Sequence, residues 1–209
     1  MNYLKNQQVI EQIQLNYQSI PLAIFLIGTN GSGKSSLRNY LNLTDIQTNI
    51  DPDVLNKIYK NKYPKTYQIE SAKQALNMYD DALNSNMNIC LESTLAGQGT
   101  MQRIKNAKKN DYYTIGFYIG LNSVELNLQR IAIRVKNGGH NISEDIVRRR
   151  FFESKNNLIK VKDNFDIIHV IDNSGEFFNL QYSLINNESV NINDKLENWS
   201  IELLKLLKN

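Results

Sequence analysis

A mainly parallel β-sheet with helices packed on both faces is the fold class that this 209-residue sequence predicts. Three observations carry the prediction. Short apolar runs of strand length alternate with longer segments of helical periodicity. A glycine-rich stretch joins the first of those runs to the helix after it. Polar residues collect just beyond the apolar runs, at Asp53, Glu92 and Asn122, on the side where parallel sheets bind their ligands.

Taken in order, residues 6–17 place Val9, Ile10, Ile13 and Tyr17 near helical spacing, which predicts an N-terminal helix over about 3–19. The apolar segment Leu22–Ile27 is the first strand, and a helix over 34–41 follows the glycine-rich stretch. A short strand over 48–50 ends at Asp51, which is suited to cap a helix opened by Pro52. Residues 67–86 form a long amphipathic pattern, and 88–91 a strand leading to Glu92. A helix over 100–110, a strand over 113–119 and a helix over 123–136 come next, the last closed by Gly138-Gly139. Ser143 then caps a helix to about 158 whose first turn carries Glu144 and Asp145. After a strand over 166–171, a C-terminal extension over about 177–208 adds a strand (177–185) and a closing helix (194–207).

Composition narrows the class further. A chain of this length, 41% hydrophobic and with three prolines and ten glycines in no linker-like run, is expected to form a single domain over 1–209. The net charge of +3 is spread along the sequence, so nucleic acid is an unlikely partner. The lone Cys90 sits in an apolar run and reads as a small buried hydrophobe. Residues 1–8 lack the apolar core of a signal peptide, and no run approaches membrane-spanning length. A cytoplasmic protein with no membrane partner is expected.

The run Gly28-Thr29-Asn30-Gly31-Ser32-Gly33-Lys34-Ser35 matches G-x-x-x-x-G-K-[ST] at every fixed position, between a strand and a helix. Its glycines allow successive backbone N–H groups to converge on one anion, while Lys34 reaches β- and γ-phosphates and Ser35 ligates Mg²⁺. Together with Ser36, these residues predict a nucleotide site in a three-layer phosphate-loop NTPase fold.

Other residues point to phosphoryl transfer. Glu92, at a strand end, suits a group that holds Mg²⁺ or its water shell; a solvated carboxylate is the plainer alternative. Asp53 could be a helix-capping carboxylate or the general base that takes a proton from an acceptor hydroxyl. Arg130 and Arg134 share one helix face, and Arg148-Arg149-Arg150 point in different directions around the next. The turn Gly138-Gly139-His140-Asn141 between them suits a lid closing over polyphosphate, because guanidinium groups grip phosphate oxygens in pairs. Arg134 and Arg149 are thereby candidate nucleotide ligands. His140 has no Cys or His neighbour that would make it a metal ligand.

The order of these blocks, from Gly28 to Ser36 through Asp51-Pro52-Asp53, Leu91-Glu92-Ser93-Thr94 and Ile119-Gly120-Leu121-Asn122 to Arg130, Gly138-Gly139-His140 and Arg148 to Phe151, resembles the zeta toxin family of phosphate-loop kinases. The resemblance covers roughly residues 20–175. It implies ATP or GTP as donor, Mg²⁺, and transfer to a sugar hydroxyl of UDP-N-acetylglucosamine, with a small antitoxin as a possible partner. It implies Lys34 and Ser35 at phosphate and metal, Asp53 as proton acceptor, Glu92 and Thr94 at the substrate, and Arg130 facing the phosphates. One departure concerns the acceptor. Where the family often places an arginine soon after Glu-x-Thr, this chain has Ala96, Gly97 and Gln98, and the nearest arginine is Arg103.

Leu95-Ala96-Gly97-Gln98-Gly99 faintly resembles a transporter ATPase signature, but the apolar run ending in Asp-Glu is missing, and Asp172-Asn173-Ser174-Gly175 comes too late for a GTPase switch. A kinase for a nucleotide, an antibiotic or a polynucleotide end, and a regulatory module without an acceptor, stay open as alternatives.

Overall fold

The computed structural model describes residues 20–41, 43–190 and 193–208; the helix expected over about 3–19 lies outside them. Seven strands among these residues form one sheet: β1 (Leu22–Ile27), β2 (Thr48–Ile50), β3 (Ile89–Ser93), β4 (Tyr113–Gly120), β5 (Ile167–Asp172), β6 (Asn179–Ile185) and β7 (Glu188–Val190). Their spatial order is β2-β3-β1-β4-β5-β6-β7. The first five pair in parallel. The C-terminal extension adds β6 and β7 antiparallel at one edge.

The sequence expectation did not include β7. Its hairpin turns on Asn186 and Asn187, with φ of 49° and 67°. A two-residue turn with positive φ at both positions favours asparagine and is the tight link that strand twist demands, so Asn186-Asn187 was the available signal.

The helices are α1 (Lys34–Tyr40), α2 (Pro52–Lys62), α3 (Tyr67–Asn84), α4 (Gln98–Lys109), α5 (Val124–Lys136), α6 (Glu144–Val161) and α7 (Asn198–Lys208). The closing helix begins at Asn198 rather than at 194, and β3 runs on through Glu92 to Ser93. β1 shows why three layers form. Ala23, Phe25 and Ile27 point into a core shared with Tyr79, Ile104, Leu158 and Leu203, while Ile24 and Leu26 point into the opposite core with Leu37, Leu41 and Ile171. A strand covered on both faces must be apolar throughout. Each of its fully buried large side chains contributes about 1.5–3 kcal/mol.

Caps place the helix starts that matter for the site. Asp51 accepts hydrogen bonds from the N–H groups of Asp53 (2.9 Å) and Val54 (3.3 Å), fixing where α2 begins. Ser123 accepts from Leu126 N–H at 3.3 Å and starts α5. Ser143 stands in extended backbone at the head of α6 but makes no side-chain capping bond, so the acidic first turn of that helix carries the N-terminal complement instead.

Candidate functional site

Strands β3 and β4 flank β1, and the chain crosses from one side of β1 to the other after β3. The loop leaving β1 therefore sits at the switch point of the sheet, in the crevice that such folds use for ligands. Residues Gly28, Thr29, Asn30, Gly31, Ser32 and Gly33 form this loop and lead into α1. Gly33 has φ +101°, and a side chain there would collide with the Asn173 amide, so the loop closes tightly against the segment after β5.

Two asparagines set the loop's peptide planes. Asn127 of α5, 1% exposed, donates from Nδ2 to the Asn30 carbonyl at 2.8 Å. Asn173, just after β5, donates from Nδ2 to the Ser32 carbonyl at 2.8 Å. In a trans peptide the C=O and the following N–H point in opposite directions. Holding the Asn30 and Ser32 carbonyls outward therefore turns the N–H groups of Gly31 and Gly33 the other way. Neither asparagine was identified from the sequence, where no spacing links them to the loop.

Lys34 curls back over the loop, its Nζ donating to the carbonyls of Gly28 (2.8 Å) and Thr29 (3.2 Å). Desolvation pulls its ammonium down to about 8, against the opposing pull of Glu92, Asp53 and Asp51. Ser35 Oγ donates to Glu92 Oε2 at 2.9 Å, and Arg38 Nη1 approaches Glu92 Oε1 at 3.3 Å and Asp51 at 3.8 Å. Glu92 is 4% exposed. Burial first, and then the neighbouring Asp51, raise its pKa above the usual carboxylate range, while Ser35, Lys34 and Arg38 hold it down. Arg38 lies three residues after Ser35 and so on the same helix face; that spacing was the overlooked signal. Ser36, the next residue of the loop-helix junction, is exposed.

Ser35 and Glu92 suit a hard divalent cation. They offer a hydroxyl and a buried carboxylate 2.9 Å apart beside the phosphate loop. Mg²⁺ typically takes one or two such protein oxygens and completes its shell with phosphate and water. Among the described residues no cluster of three or more His, Cys, Asp or Glu could hold a metal by itself.

Asp53 is not the cap of α2, since that bond belongs to Asp51. Its carboxylate instead faces Arg134 Nη1 of α5 at 3.6 Å. Arg134 also donates from Nη2 to the His140 carbonyl at 2.9 Å, tying α5 to the turn that follows it. The phosphate-loop lysine, Asp53 and Arg134 thus form one electrostatic group.

The remaining arginines are distributed differently from expectation. Arg130 directs Nη2 to the Asn173 carbonyl at 2.7 Å, beside the segment that supports the loop. Arg149, expected at the nucleotide, is exposed and approaches Glu153 at 3.6 Å. Arg148 pairs with Glu125 and Glu144 on the surface. Arg150 takes the place expected of Arg149, donating from Nη1 to Asn30 Oδ1 at 2.9 Å. The reason is helical phase. Val147, Ser154, Leu158 and Val161 are buried, and Arg150 falls on their stripe while Arg149 lies about 100° away.

Thr94 follows β3, half-buried, and opens the loop of Leu95, Ala96 and Gly97 before α4. Leu95 is buried at φ +54°, and its carbonyl accepts from Asn157 Nδ2 at 2.9 Å. Cys90 is fully buried beneath this end of the sheet, where desolvation pushes its thiol up to about 12. It is a packed hydrophobe, not a nucleophile.

A parallel core ordered 2-3-1-4-5, with a phosphate loop at its switch point, defines a phosphate-loop nucleotide-binding protein. The zeta toxin family model matches residues 6–182. The chain belongs to the zeta toxin family of phosphate-loop kinases. It is 43% identical over 129 residues to an uncharacterised protein of Haemophilus influenzae, a match covering 62% of this chain and 91% of that one. Two solved structures share the fold. The AvrRxo1-ORF1:-ORF2 complex with ATP aligns with a TM-score of 0.67 at 15% identity, covering 97% of this chain and 66% of that one. A chain of the PezAT chromosomal toxin-antitoxin system of Streptococcus pneumoniae aligns with a TM-score of 0.58 at 16% identity, covering 98% and 90%. The present chain thus spans just under two thirds of the length of the first of these structures.

Proposed function

We propose that the chain is a single-domain kinase that transfers the γ-phosphate of ATP or GTP to a hydroxyl of a sugar nucleotide such as UDP-N-acetylglucosamine. The observation that carries this reading is the grouping of a formed phosphate loop, Lys34 and the Asp53–Arg134 pair on one side of the sheet. A carboxylate beside Arg134 and in the field of Lys34 offers an incoming hydroxyl a proton acceptor.

In this mechanism the N–H groups of Gly31, Ser32 and Gly33 cradle the phosphates, and Lys34 exchanges its carbonyl partners for β- and γ-phosphate oxygens. Asp53 accepts the acceptor hydroxyl proton as that oxygen bonds to the γ-phosphorus and the bond to the bridging oxygen breaks. The products are the nucleoside diphosphate, the phosphorylated acceptor and a protonated Asp53. Arg134, which pairs with Asp53, and Arg150, which bonds Asn30 of the loop, neutralise charge on the transferring group. Arg130 supports the loop's rear wall through Asn173 and comes to the phosphates only on closure of the Gly138-Gly139 hinge. Ser35 and Glu92 would hold Mg²⁺, which when bound would supply charge neutralisation to the polyphosphate. Thr94, with Glu92, is the acceptor contact that the family resemblance suggests.

One observation favours a different acceptor within the same chemistry. The loop after Thr94 carries no cation through Gly99, and Arg103 is turned onto the Tyr79 ring, 5.8 Å from its centroid, away from that loop. A nucleotide, an antibiotic or a polynucleotide end would make fewer demands on the missing arginine. A small antitoxin that covers the site is the partner that family membership suggests, and a cytoplasmic location suits the reading; no helix among the described residues is long and apolar enough to cross a membrane. Incubation with labelled ATP and a panel of UDP-sugars, nucleotides and oligonucleotides tests the proposal. Label in a sugar nucleotide supports it, label elsewhere moves the acceptor, and slow phosphate release alone leaves a regulatory module.

A further inference from the structure

The family match ends at residue 182, yet the helix beyond it reaches back to the nucleotide site. Trp199, near the start of α7, is 6% exposed and donates from Nε1 to Asp172 Oδ1 at 2.9 Å. It occupies the space above β4 that Gly120 leaves open, since any Cβ on Gly120 would collide with the indole ring. Asp172, itself buried, also accepts from the Ser174 hydroxyl (2.7 Å) and N–H (3.0 Å). The two Ser174 bonds close a tight turn at the end of β5, and the indole holds its carboxylate. Asn173 sits at the apex, its N–H bonded to the Gly120 carbonyl at 3.0 Å and its Nδ2 to the Ser32 carbonyl at 2.8 Å.

We propose that Trp199 is a positioning residue of the nucleotide site, acting through Asp172 and Asn173 to aim the Gly33 N–H at the bound phosphates. The inference rests on the reading of the loop as a nucleotide site but is independent of the acceptor. The physical chain is a continuous run of hydrogen bonds through one turn, which the Gly120 carbonyl and Arg130 also hold at Asn173. The indole N–H fixes the Asp172 carboxylate, the carboxylate fixes the turn, the turn fixes the Asn173 amide, and that amide orients the Ser32–Gly33 peptide plane. A buried carboxylate with three donors in place holds one arrangement, whereas one that has lost a donor can rotate to recover a partner. Rotation of Asp172 would loosen the turn, and the loop would then lose orientation before it lost fold.

The test is a double-mutant cycle on the full chain, using MgATP as the probe and calorimetry as the readout. Trp199→Phe keeps a ring over Gly120 and removes the N–H; Asn173→Ala removes the last link. Loss of one buried hydrogen bond is worth roughly a fivefold change in affinity. Trp199→Phe should therefore weaken MgATP binding about fivefold and Asn173→Ala about tenfold, with the double variant no weaker than Asn173→Ala alone. At saturating MgATP the turnover of Trp199→Phe should stay near wild type, so that KM moves and kcat does not. A purely structural Trp199 predicts a lower Tm with unchanged affinity, or losses that multiply to about fiftyfold in the double variant; either result overturns the proposal.

Trp199 is the sole tryptophan in the chain, which gives a readout needing no variant. Because coupling between sites is reciprocal, saturation with MgATP should shift the indole emission. If Trp199→Phe does not fold, unchanged emission at saturation is the overturning result. Failure of the wild-type protein to bind MgATP removes the nucleotide-site reading and the proposal with it. Normal binding with multiplicative losses removes the proposal alone.

Discussion

Asp53 and Arg134 meet across the crevice at 3.6 Å, one from the first turn of α2 and the other from the last turn of α5. The pair joins α2 to α5. Arg134 also grips the His140 carbonyl, so the position of α2 is linked to the Gly138-Gly139 turn. An exposed ion pair adds little to stability. On the proposed mechanism it is a reversible contact, which a phosphate entering beside Arg134 would release, leaving Asp53 free to receive a proton.

For this reason Asp53→Asn should keep MgATP affinity within about twofold of wild type while lowering phosphoryl transfer by 100-fold or more, since general-base catalysis is typically worth about 10²–10⁴. Cap loss does not enter, because Asp51 holds the helix start. Calorimetry beside single-turnover transfer separates the effects. A collapse of affinity would make Asp53 a structural or metal group.

The depressed Lys34 ammonium gives a pH dependence. In the unliganded protein desolvation favours the neutral amine, so its pKa is lowered to about 8. Bound phosphate favours the ammonium and raises it again. Below about pH 8 the lysine is already charged and binding takes up no proton; above it, binding must draw one from solvent. MgATP affinity should therefore fall as pH rises through about 8, with proton uptake seen as a buffer-dependent binding enthalpy. Lys34→Met should abolish the uptake as well as weaken binding. Proton uptake that persists in the variant would assign it to another group.

Arg38 should tune the metal site through Glu92. Burial and Asp51 already raise the Glu92 pKa, and Arg38 is among the groups that resist the rise. Removing it in Arg38→Met lets the carboxyl protonate more readily, and a protonated carboxyl does not ligate Mg²⁺. The Mg²⁺ requirement for nucleotide binding should rise by about tenfold at pH 6 and return toward wild type at pH 8.5. An unchanged Mg²⁺ requirement at both pH values would leave Arg38 a packing residue.

Arg150 and Arg149 offer a paired test of the helical phase. Arg150→Ala should lower transfer by roughly 100-fold, as expected for a lost donor at developing phosphate charge, and Arg149→Ala should change it by less than about twofold, as for an exposed surface pair. Steady-state rates on both variants decide it. The reverse ranking would restore the expectation made for Arg149.

What the sequence made legible is what is local. The G-x-x-x-x-G-K-S run between a strand and a helix, the Asp51 cap and the apolar strand β1 each depend on neighbours a few positions away, and each took its expected place in the structure. The rest depends on contacts between distant segments. Asn127 lies 97 residues from Asn30, and Asn173 141 from Ser32; both are meaningful only once β4 lies beside β1 and β5 beside β4. Arg150 is an intermediate case. Three consecutive arginines look equivalent in composition, but the stripe of Val147, Ser154 and Leu158 distinguishes one of them. The Asp53–Arg134 contact likewise needed α5, which no local pattern brings to α2.

The most direct test of the account is transfer of labelled γ-phosphate from ATP to UDP-N-acetylglucosamine by the wild-type protein, run beside Asp53→Asn at saturating MgATP. Phosphorylated sugar nucleotide formed by the wild type, and reduced at least about 100-fold by Asp53→Asn, is the predicted result. Equal transfer by both proteins would contradict the role given to Asp53, and nucleotide binding with no transfer to any hydroxyl in the panel would contradict the kinase itself.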